Sequence, residues 1–95
     1  MRLVYLPSCR GGLRWWRHYY ERIFPEGAAN ARDRMLATEH LLLDNPYIGR
    51  PTHRPEVRRL AIPRTPFFLV YRVTAERIEI IRVLDSRSYD SMFLD

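Results

Sequence analysis

Three short apolar runs with hairpin-sized gaps between them constrain the fold of this chain more than any other feature. They occupy residues 57–62, 67–73 and 77–84. Each run has the length and the β-branched and aromatic content of a strand. Gaps this short join antiparallel neighbours, so the sequence predicts a three-stranded meander. Residues 67–71 are apolar at every position, which is typical of a central strand covered on both faces.

The N-terminal half begins with one more strand and then becomes helical. Residues 3–6 are an apolar run that ends at Pro7, which predicts a first strand. Ser8 is a suitable helix N-cap, because its hydroxyl can accept a hydrogen bond from an unpaired backbone N–H. Leu13 and the aromatic residues after it recur at near-helical spacing as far as Ile23, and they predict a first helix.

A second helix follows almost at once. Residues 25–27 contain proline and glycine and predict a turn, after which apolar positions repeat at helical spacing over about 28–43. Pro46 ends this helix, because the residue before a proline avoids the helical region. Two helices joined by so short a turn form an antiparallel hairpin. Residues 46–56 are then predicted as a loop, and residues 86–95 suit one short helical turn.

The order of the predicted elements is strand, two helices and three strands, within one domain over residues 1–95. This order indicates an α+β fold, in which an N-terminal strand and an antiparallel helical hairpin accompany a small, mainly antiparallel sheet. The hairpin covers one face of that sheet. We expect the opposite face to be open, curved by sheet twist and rich in arginine.

All sixteen basic residues are arginine, and they are unevenly distributed. Residues 50–87 hold nine arginines against four acidic residues, a net charge of +5, whereas residues 1–49 carry +2 and residues 88–95 carry −2. Guanidinium groups bind carboxylates and phosphates through paired hydrogen bonds. The excess of positive charge therefore favours an acidic partner or nucleic acid. The alternative is that these arginines form a solvated surface that keeps a small protein soluble.

Several classes of protein are disfavoured by what the sequence lacks. Cys9 is the single cysteine, so no internal disulfide can form. No apolar run approaches the ~18 residues of a membrane span and no leader pattern is present, which predicts a cytoplasmic protein without membrane attachment. His18, His40 and His53 fall in different elements without ligand spacing, so we expect no metal site. No phosphate-binding loop is present, and we expect no cofactor.

The second half of the chain carries an ordered set of motifs. They are Asn45-Pro46, Gly49-Arg50-Pro51, Val57-Arg58-Arg59-Leu60, Thr65-Pro66-Phe67, Tyr71-Arg72 and Val83-Leu84. The set resembles the ParE branch of the ParE/RelE superfamily of toxins, over roughly residues 42–89. The first half of the chain agrees with that family only in the order of its elements.

This resemblance implies a biological role and a set of partners. ParE-like proteins are cytoplasmic bacterial toxins of type II toxin–antitoxin systems, and each is neutralised by a cognate antitoxin such as ParD. They block DNA gyrase, whereas RelE-like toxins cut messenger RNA on the ribosome. The resemblance thus implies a gyrase inhibitor that forms a hetero-oligomer with its antitoxin and meets DNA only through that complex. A non-toxic scaffold kept in an autoregulatory DNA-binding complex is a further alternative.

The ribonuclease alternative depends on residues that this chain supplies only in part. Cleavage by 2′-OH attack requires a proton acceptor, cations and an acid. Arg59, Arg87 and Tyr89 are the candidate catalytic residues if the chain is RelE-like. The chain has no lysine, however, and Phe68 stands where RelE-like toxins place a catalytic arginine. The sequence therefore favours a toxin that acts by binding and has no catalytic residues.

Asp85 is a departure from the ParE pattern as well, because many relatives carry histidine directly after the Val83-Leu84 pair. A carboxylate at this position repels phosphate, which weighs further against the cleavage of RNA. We expect Asp85 to pair with Arg82 or Arg87 in a structural role.

Aromatic and arginine side chains are the candidate antitoxin contacts. Five aromatic residues lie within residues 15–24, more than one helix face buries, so Trp16 and Tyr20 are predicted in the core and Trp15 or Tyr19 at the surface. We expect an apolar antitoxin helix to pack on this hairpin or on the adjacent sheet edge. Carboxylates of the antitoxin would bind the strand arginines. The alternative is that these arginines are ordinary surface charges without a binding role. The predicted antitoxin-binding residues are Trp15, Tyr19, Arg58, Arg59, Arg72, Arg82 and Arg87.

Overall fold

The computed structural model describes residues 1–87 and consists of a five-stranded sheet with a helical hairpin on one face. The elements are β1 (Arg2–Tyr5), α1 (Arg10–His18), α2 (Ala28–Asp44), β2 (Arg50–Pro51), β3 (Val57–Ala61), β4 (Phe67–Val73) and β5 (Arg77–Asp85). The strands lie in the order β1-β5-β4-β3-β2. This is the α+β arrangement that the sequence predicts.

The predicted meander is confirmed, with β4 as the central strand. β3, β4 and β5 pair in antiparallel register, with Leu60 opposite Leu69 and Leu69 opposite Val83. β1 adds to the far edge of β5 in parallel register, with Leu3 opposite Ile78. A parallel neighbour requires a long connection, and the helical hairpin is part of the connection that separates β1 from β5.

One short strand lies where the sequence predicts a loop. Within residues 46–56, Arg50 and Pro51 of β2 pair with Arg59 and Arg58 of β3. A strand of two residues has no periodicity that a sequence pattern can reveal. Proline is tolerated there because β2 is the edge strand of the sheet.

Strand alternation gives the sheet two faces with different surroundings. On β4, Phe67, Leu69 and Tyr71 belong to the main core, which also receives side chains from both helices. Phe68 and Val70 belong to a second buried cluster on the opposite face. Every residue from Phe67 to Tyr71 is buried, so the prediction of a central strand covered on both faces is confirmed.

The first helix differs from its prediction at both ends. Ser8 lies in a 3-10 turn, Pro7–Cys9, and its hydroxyl donates a hydrogen bond to the carbonyl of Ile81 in β5. The N-cap prediction is therefore wrong, because the hydroxyl forms a contact with a strand that is distant in sequence. After His18 the helix continues as a π-helical turn, Tyr19–Ile23, which widens the helix where the aromatic residues accumulate.

The second helix, α2, anchors the hairpin on the sheet. It contributes Ala31 and Leu42 to the main core. Tyr5 of β1 donates its hydroxyl hydrogen bond to Glu39 Oε2 of α2. Burial and the neighbouring Glu39 carboxylate raise the pKa of Tyr5, so its hydroxyl keeps its proton and ties the edge strand to the helix.

The predicted helical turn over residues 86–95 lies outside the described residues apart from Ser86 and Arg87, which form a turn after β5. Within residues 1–87, no helix has the length and the apolar character that crossing a lipid bilayer requires.

Helix α1 approaches β5 so closely that a glycine is required at the contact. A Cβ atom at Gly12 would lie 1.9 Å from the carbonyl oxygen of Val83. At Gly11, one residue earlier, a Cβ atom would meet nothing within 4 Å. Gly12 therefore permits the helix to pack on the sheet, whereas Gly11 only lowers the helix propensity.

We expect Gly12→Ala and Gly11→Ala to change stability in opposite directions. Gly12→Ala forces the helix away from Val83 and should lower the free energy of unfolding by about 2 kcal/mol or more. Gly11→Ala should raise it by up to ~1 kcal/mol, because alanine has the higher helix propensity. Urea unfolding followed by tryptophan fluorescence measures both values. Similar effects of the two variants would contradict the close contact between α1 and β5.

Candidate functional site

The face of the sheet opposite the helices, termed the open face, presents arginines around an apolar centre. The strand register places Arg2, Arg50, Arg59, Arg72, Arg77 and Arg82 on this face. Its centre consists of the buried side chains of Phe68, Val70 and Leu84, with Val57 and Ile81 packed against them. Three of the predicted antitoxin contacts, Arg59, Arg72 and Arg82, lie together here, as expected for an open face rich in arginine.

Glu79 holds two of these arginines in place. Its Oε1 lies 2.6 Å from Nε of Arg72, and its Oε2 lies 2.8 Å from Nε of Arg77. The hydrogen bonds from Arg72 and then Arg77 lower the pKa of Glu79, and burial opposes them without cancelling the shift. The charged carboxylate therefore orients two guanidinium groups but neutralises only one of them, and the trio keeps a net positive charge.

Arg59 is an open-face arginine that stacks on the apolar centre. Its guanidinium carbon lies 4.0 Å from the centroid of the Phe68 ring, within the range of a cation–π contact. The register places Arg50 directly opposite Arg59, and like charges in directly opposite positions repel. This part of the open face therefore places two arginines side by side next to the Phe68 ring.

A second group of predicted residues meets at the end of β5 on the helix side, and we term it the corner cluster: Trp15, Tyr19, Asp85 and Arg87. Trp15 Nε1 donates a 3.0 Å hydrogen bond to Asp85 Oδ2, and Arg87 binds both carboxylate oxygens at 2.9 and 3.0 Å. The Arg87 guanidinium lies 4.8 Å from the centroid of the Tyr19 ring. The expected pairing of Asp85 with an arginine is confirmed, with Arg87 as the partner.

The negative charge of Asp85 offsets the positive charge of Arg87 in the corner cluster. Burial opposes ionisation of its carboxyl, but the hydrogen bonds from Arg87 and Trp15 outweigh burial and hold its pKa below the ordinary value of 3.8. Asp85 is therefore charged at neutral pH and offsets the charge of Arg87. Trp15 is 40% exposed beside this pair, as predicted, so the cluster presents an indole surface rather than a free cation.

Arg58 lies in a different environment from the other predicted contacts. It projects to the helix side of β3, where its Nη1 donates hydrogen bonds to the carbonyls of Tyr47 at 3.2 Å and Gly49 at 2.8 Å. The N–H of Gly49 in turn donates to the Tyr71 hydroxyl at 2.8 Å. Arg58 therefore fixes the loop that leads into β2, which is an internal structural role.

A groove between the two helices is a feature that sequence reasoning missed. The cavity measures about 610 Å³, and its lining is mainly apolar. Its apolar lining consists of Leu13, Trp16, Tyr20, Ala28, Met35 and Leu36. Trp16 and Tyr20 also pack in the core, as predicted, whereas Leu36 is 51% exposed. The sequence indicates this groove through Leu36, an apolar residue that lies beside the buried stripe of α2 and has no partner in the predicted hairpin.

The residues of the ribonuclease alternative are not brought together in the described part of the chain. Arg59 stacks on Phe68 at the open face, whereas Arg87 stacks on Tyr19 at the helix side. Tyr89 lies outside the described residues. Within residues 1–87, no three histidine, cysteine or acidic side chains are grouped so that they could hold a metal ion.

The order of the elements and the mixed five-stranded sheet with a helical hairpin on one face define the RelE/ParE-like toxin fold. The family model for the ParE toxin of type II toxin–antitoxin system, parDE, matches residues 7–88. A solved chain described as "Chromosomal ParDE TA system from P. aeruginosa" is 31% identical, with a TM-score of 0.68 over 87% of this chain and 92% of that chain. A search of curated protein sequences gives no match.

The chain therefore belongs to the ParE toxin family of type II toxin–antitoxin systems. A toxin of a ParDE system implies a cognate ParD antitoxin as its partner. The resemblance that the second half of the sequence carries is thus confirmed, and the family match extends into the first half, where sequence motifs were absent.

We expect Asp85→Asn to destabilise the protein in a pH-dependent manner. The folded-state pKa of Asp85 lies below its ordinary 3.8, so its charge stabilises the fold above about pH 4, and this contribution is lost as the pH falls through the folded-state value. The variant should lose about 1–2 kcal/mol of unfolding free energy at pH 7, and the loss should be smaller at an acidic pH below that folded-state value. Urea unfolding at both pH values measures the difference.

Asp33→Asn, at an exposed position of α2, is the matched control and should change stability little at either pH. A loss for Asp85→Asn that is equally large at both pH values would show that shape, rather than the carboxylate charge, matters at the corner cluster.

Proposed function

We propose that this toxin acts by binding: it inhibits DNA gyrase in the bacterial cytoplasm and is neutralised by a ParD-like antitoxin in a hetero-oligomer. Its family membership supports the choice of gyrase as the target. The observation that carries binding over catalysis is the separation of Arg59 and Arg87, which contact aromatic rings on opposite faces of the sheet. In this proposal the toxin has no catalytic residues and meets DNA only through its complex with the antitoxin.

The chemistry of RNA cleavage explains why this separation matters. A proton acceptor, a proton donor and stabilising cations must all reach one phosphate. The Arg87 guanidinium already donates two hydrogen bonds to Asp85, whose negative charge would repel a phosphate bound beside it. The chain has no lysine, and a guanidinium is a very poor proton donor. Phe68, at the centre of the open face, offers no polar atom.

Purified toxin should inhibit the supercoiling of relaxed plasmid by purified gyrase, and the cognate antitoxin should reverse this inhibition. The same toxin preparation should leave ribosome-bound messenger RNA intact, because the required groups do not converge. Gel electrophoresis of the plasmid and primer extension on the message provide the two measurements.

Two other outcomes would each replace this proposal. Full supercoiling together with cleavage of ribosome-bound message would favour the RelE-like nuclease. Activity in neither assay, together with normal growth of cells that express the toxin without its antitoxin, would favour the non-toxic scaffold in an autoregulatory complex.

The antitoxin surface in this proposal has an apolar and a charged part. An apolar helix of the antitoxin packs on the hairpin, with Trp15 and Tyr19 beside it, and the apolar groove widens the surface that this helix can use. Antitoxin carboxylates bind Arg59, Arg72 and Arg82 on the open face. Arg58, which the sequence also predicts as a contact, holds the loop before β2, and the charge of Arg87 is offset by Asp85, so we propose that these two support this surface rather than dominate the binding.

Arg82→Glu should weaken binding of the cognate antitoxin at least tenfold, because it replaces an attraction on the open face by a repulsion. Arg54→Glu, an identical charge change at an exposed position of the loop between β2 and β3, should change the dissociation constant less than threefold. Calorimetric titrations at low and high salt measure both, and the difference between the variants should shrink at high salt. Equal weakening by the two substitutions would mean that only total charge matters.

A further inference from the structure

The turn between β3 and β4 holds an arginine where its backbone conformation favours glycine. Arg64 has a φ of 61°, in the left-handed region where a side chain is strained. It is the third residue of the turn over residues 62–65, which closes with a hydrogen bond from the Thr65 N–H to the Ile62 carbonyl at 3.2 Å. Pro63 occupies the second position, and turns of this kind prefer glycine or asparagine at the third. Arg64 therefore lowers the stability of a turn that glycine would fit without strain.

Hydrogen bonds on several sides hold this turn in its conformation. The Ile62 N–H donates to the Phe67 carbonyl at 3.0 Å. The Thr65 hydroxyl donates to the Ile62 carbonyl at 2.9 Å and accepts from the Phe67 N–H at 3.0 Å. The side-chain amide of Asn30, in α2, donates to the Arg64 carbonyl at 3.5 Å. These contacts keep Arg64 left-handed, and strain that the surroundings enforce in this way is concentrated at functional positions of proteins.

The Arg64 side chain is available to a partner. It is exposed, and within residues 1–87 its guanidinium has no hydrogen-bond or ion-pair partner. Arg34 of α2 is connected to the same turn, because its Nε donates to Asn30 Oδ1 at 3.4 Å while Asn30 binds the Arg64 carbonyl. A guanidinium binds a carboxylate through paired hydrogen bonds, so the two arginines suit an acidic group.

A small cavity between α2 and the end of β3 lies beside these arginines. It measures about 170 Å³, and Arg34 is part of its lining. Leu41, another lining residue, is 40% exposed. We term this surface the edge patch: Arg34 and Arg64 with the apolar residues Ala37, Leu41, Leu60, Ala61 and Pro63. An apolar depression bordered by arginines fits a partner that presents an apolar side chain next to a carboxylate.

We propose that the edge patch contacts gyrase, with Arg64 and Arg34 on an acidic group of the target and an apolar side chain of the target in the cavity. This inference rests on the proposed function, since it assigns the target contact of the toxin. The edge patch shares no residue with the hairpin groove or with the arginines of the open face. Leu36 of the groove and Ala37 of the edge patch are consecutive on α2, so an antitoxin helix in the groove would lie beside the target contact and obstruct it.

Arg64→Gly in the full chain separates the strain of this residue from its use. The melting temperature should not fall, because glycine adopts the left-handed conformation freely, whereas the toxin concentration that halves supercoiling by gyrase should rise at least tenfold. Glu56→Gly is the matched control. Glu56 has a φ of 65° in the turn over residues 54–57, at the other end of β3, so glycine relieves the same kind of strain there and should change inhibition less than threefold.

Two results for Arg64→Gly would each overturn the proposal. A melting temperature lowered by more than about 4 °C would show that the arginine supports the fold. Inhibition equal to that of the unmodified toxin would show that it does not contact the target. If the unmodified toxin itself leaves supercoiling intact, the proposed function fails, and this inference fails with it.

Binding of the cognate antitoxin distinguishes the two macromolecular partners. Arg64→Gly should change the dissociation constant of the antitoxin less than threefold, and Arg34→Gln should weaken gyrase inhibition at least threefold with as little effect on the antitoxin. Tenfold weaker antitoxin binding by Arg64→Gly, with gyrase inhibition retained, would assign the edge patch to the antitoxin and overturn the proposal. Calorimetric titration and the plasmid supercoiling assay provide the measurements.

Discussion

The central strand β4 is buried on both of its faces, and the other elements of the fold pack around it. A strand with Phe67 and Tyr71 on one side and Phe68 and Val70 on the other cannot remain in water on either side. The helical hairpin satisfies the first side, and the absence of a side chain at Gly12 lets it approach the sheet closely enough. The second side is left with strand residues and arginines, so the two faces of one small sheet acquire different surface chemistry.

The two faces of the sheet also differ in how their carboxylates pair with arginines. On the helix side, Asp85 binds Arg87 with both oxygens and Trp15 completes the arrangement, so little net charge is left. On the open face, the Glu79 carboxylate orients Arg72 and Arg77 but neutralises only one of their two positive charges. An excess of fixed cations around an apolar centre suits a complementary surface, whereas acid–base catalysis needs groups that can exchange protons. The family membership and the electrostatics therefore support the same interpretation, a toxin that works through contacts.

The sequence revealed those parts of the structure that depend on periodicity and missed those that depend on distant contacts. The meander and the helical hairpin follow from alternating and helical apolar spacing, and the Asp85 ion pair follows from charge alone. Ser8 was misassigned because its hydroxyl binds Ile81, a residue in the last strand. Arg58 looks like any other strand arginine until the loop carbonyls around it are known. Strand β2 arises only when separate segments are brought together, so no local pattern predicts it, and the hairpin groove is indicated in the sequence by Leu36 alone.

We propose that this toxin stops growth by binding gyrase and not by cutting message. The most direct measurement is made in cells that express the toxin without its antitoxin, where the superhelical density of a reporter plasmid and the integrity of translated messages are followed in the same culture. If the toxin binds gyrase, negative supercoiling falls early while the messages keep their full length. Messages cleaved during translation on a plasmid of unchanged superhelical density would contradict it.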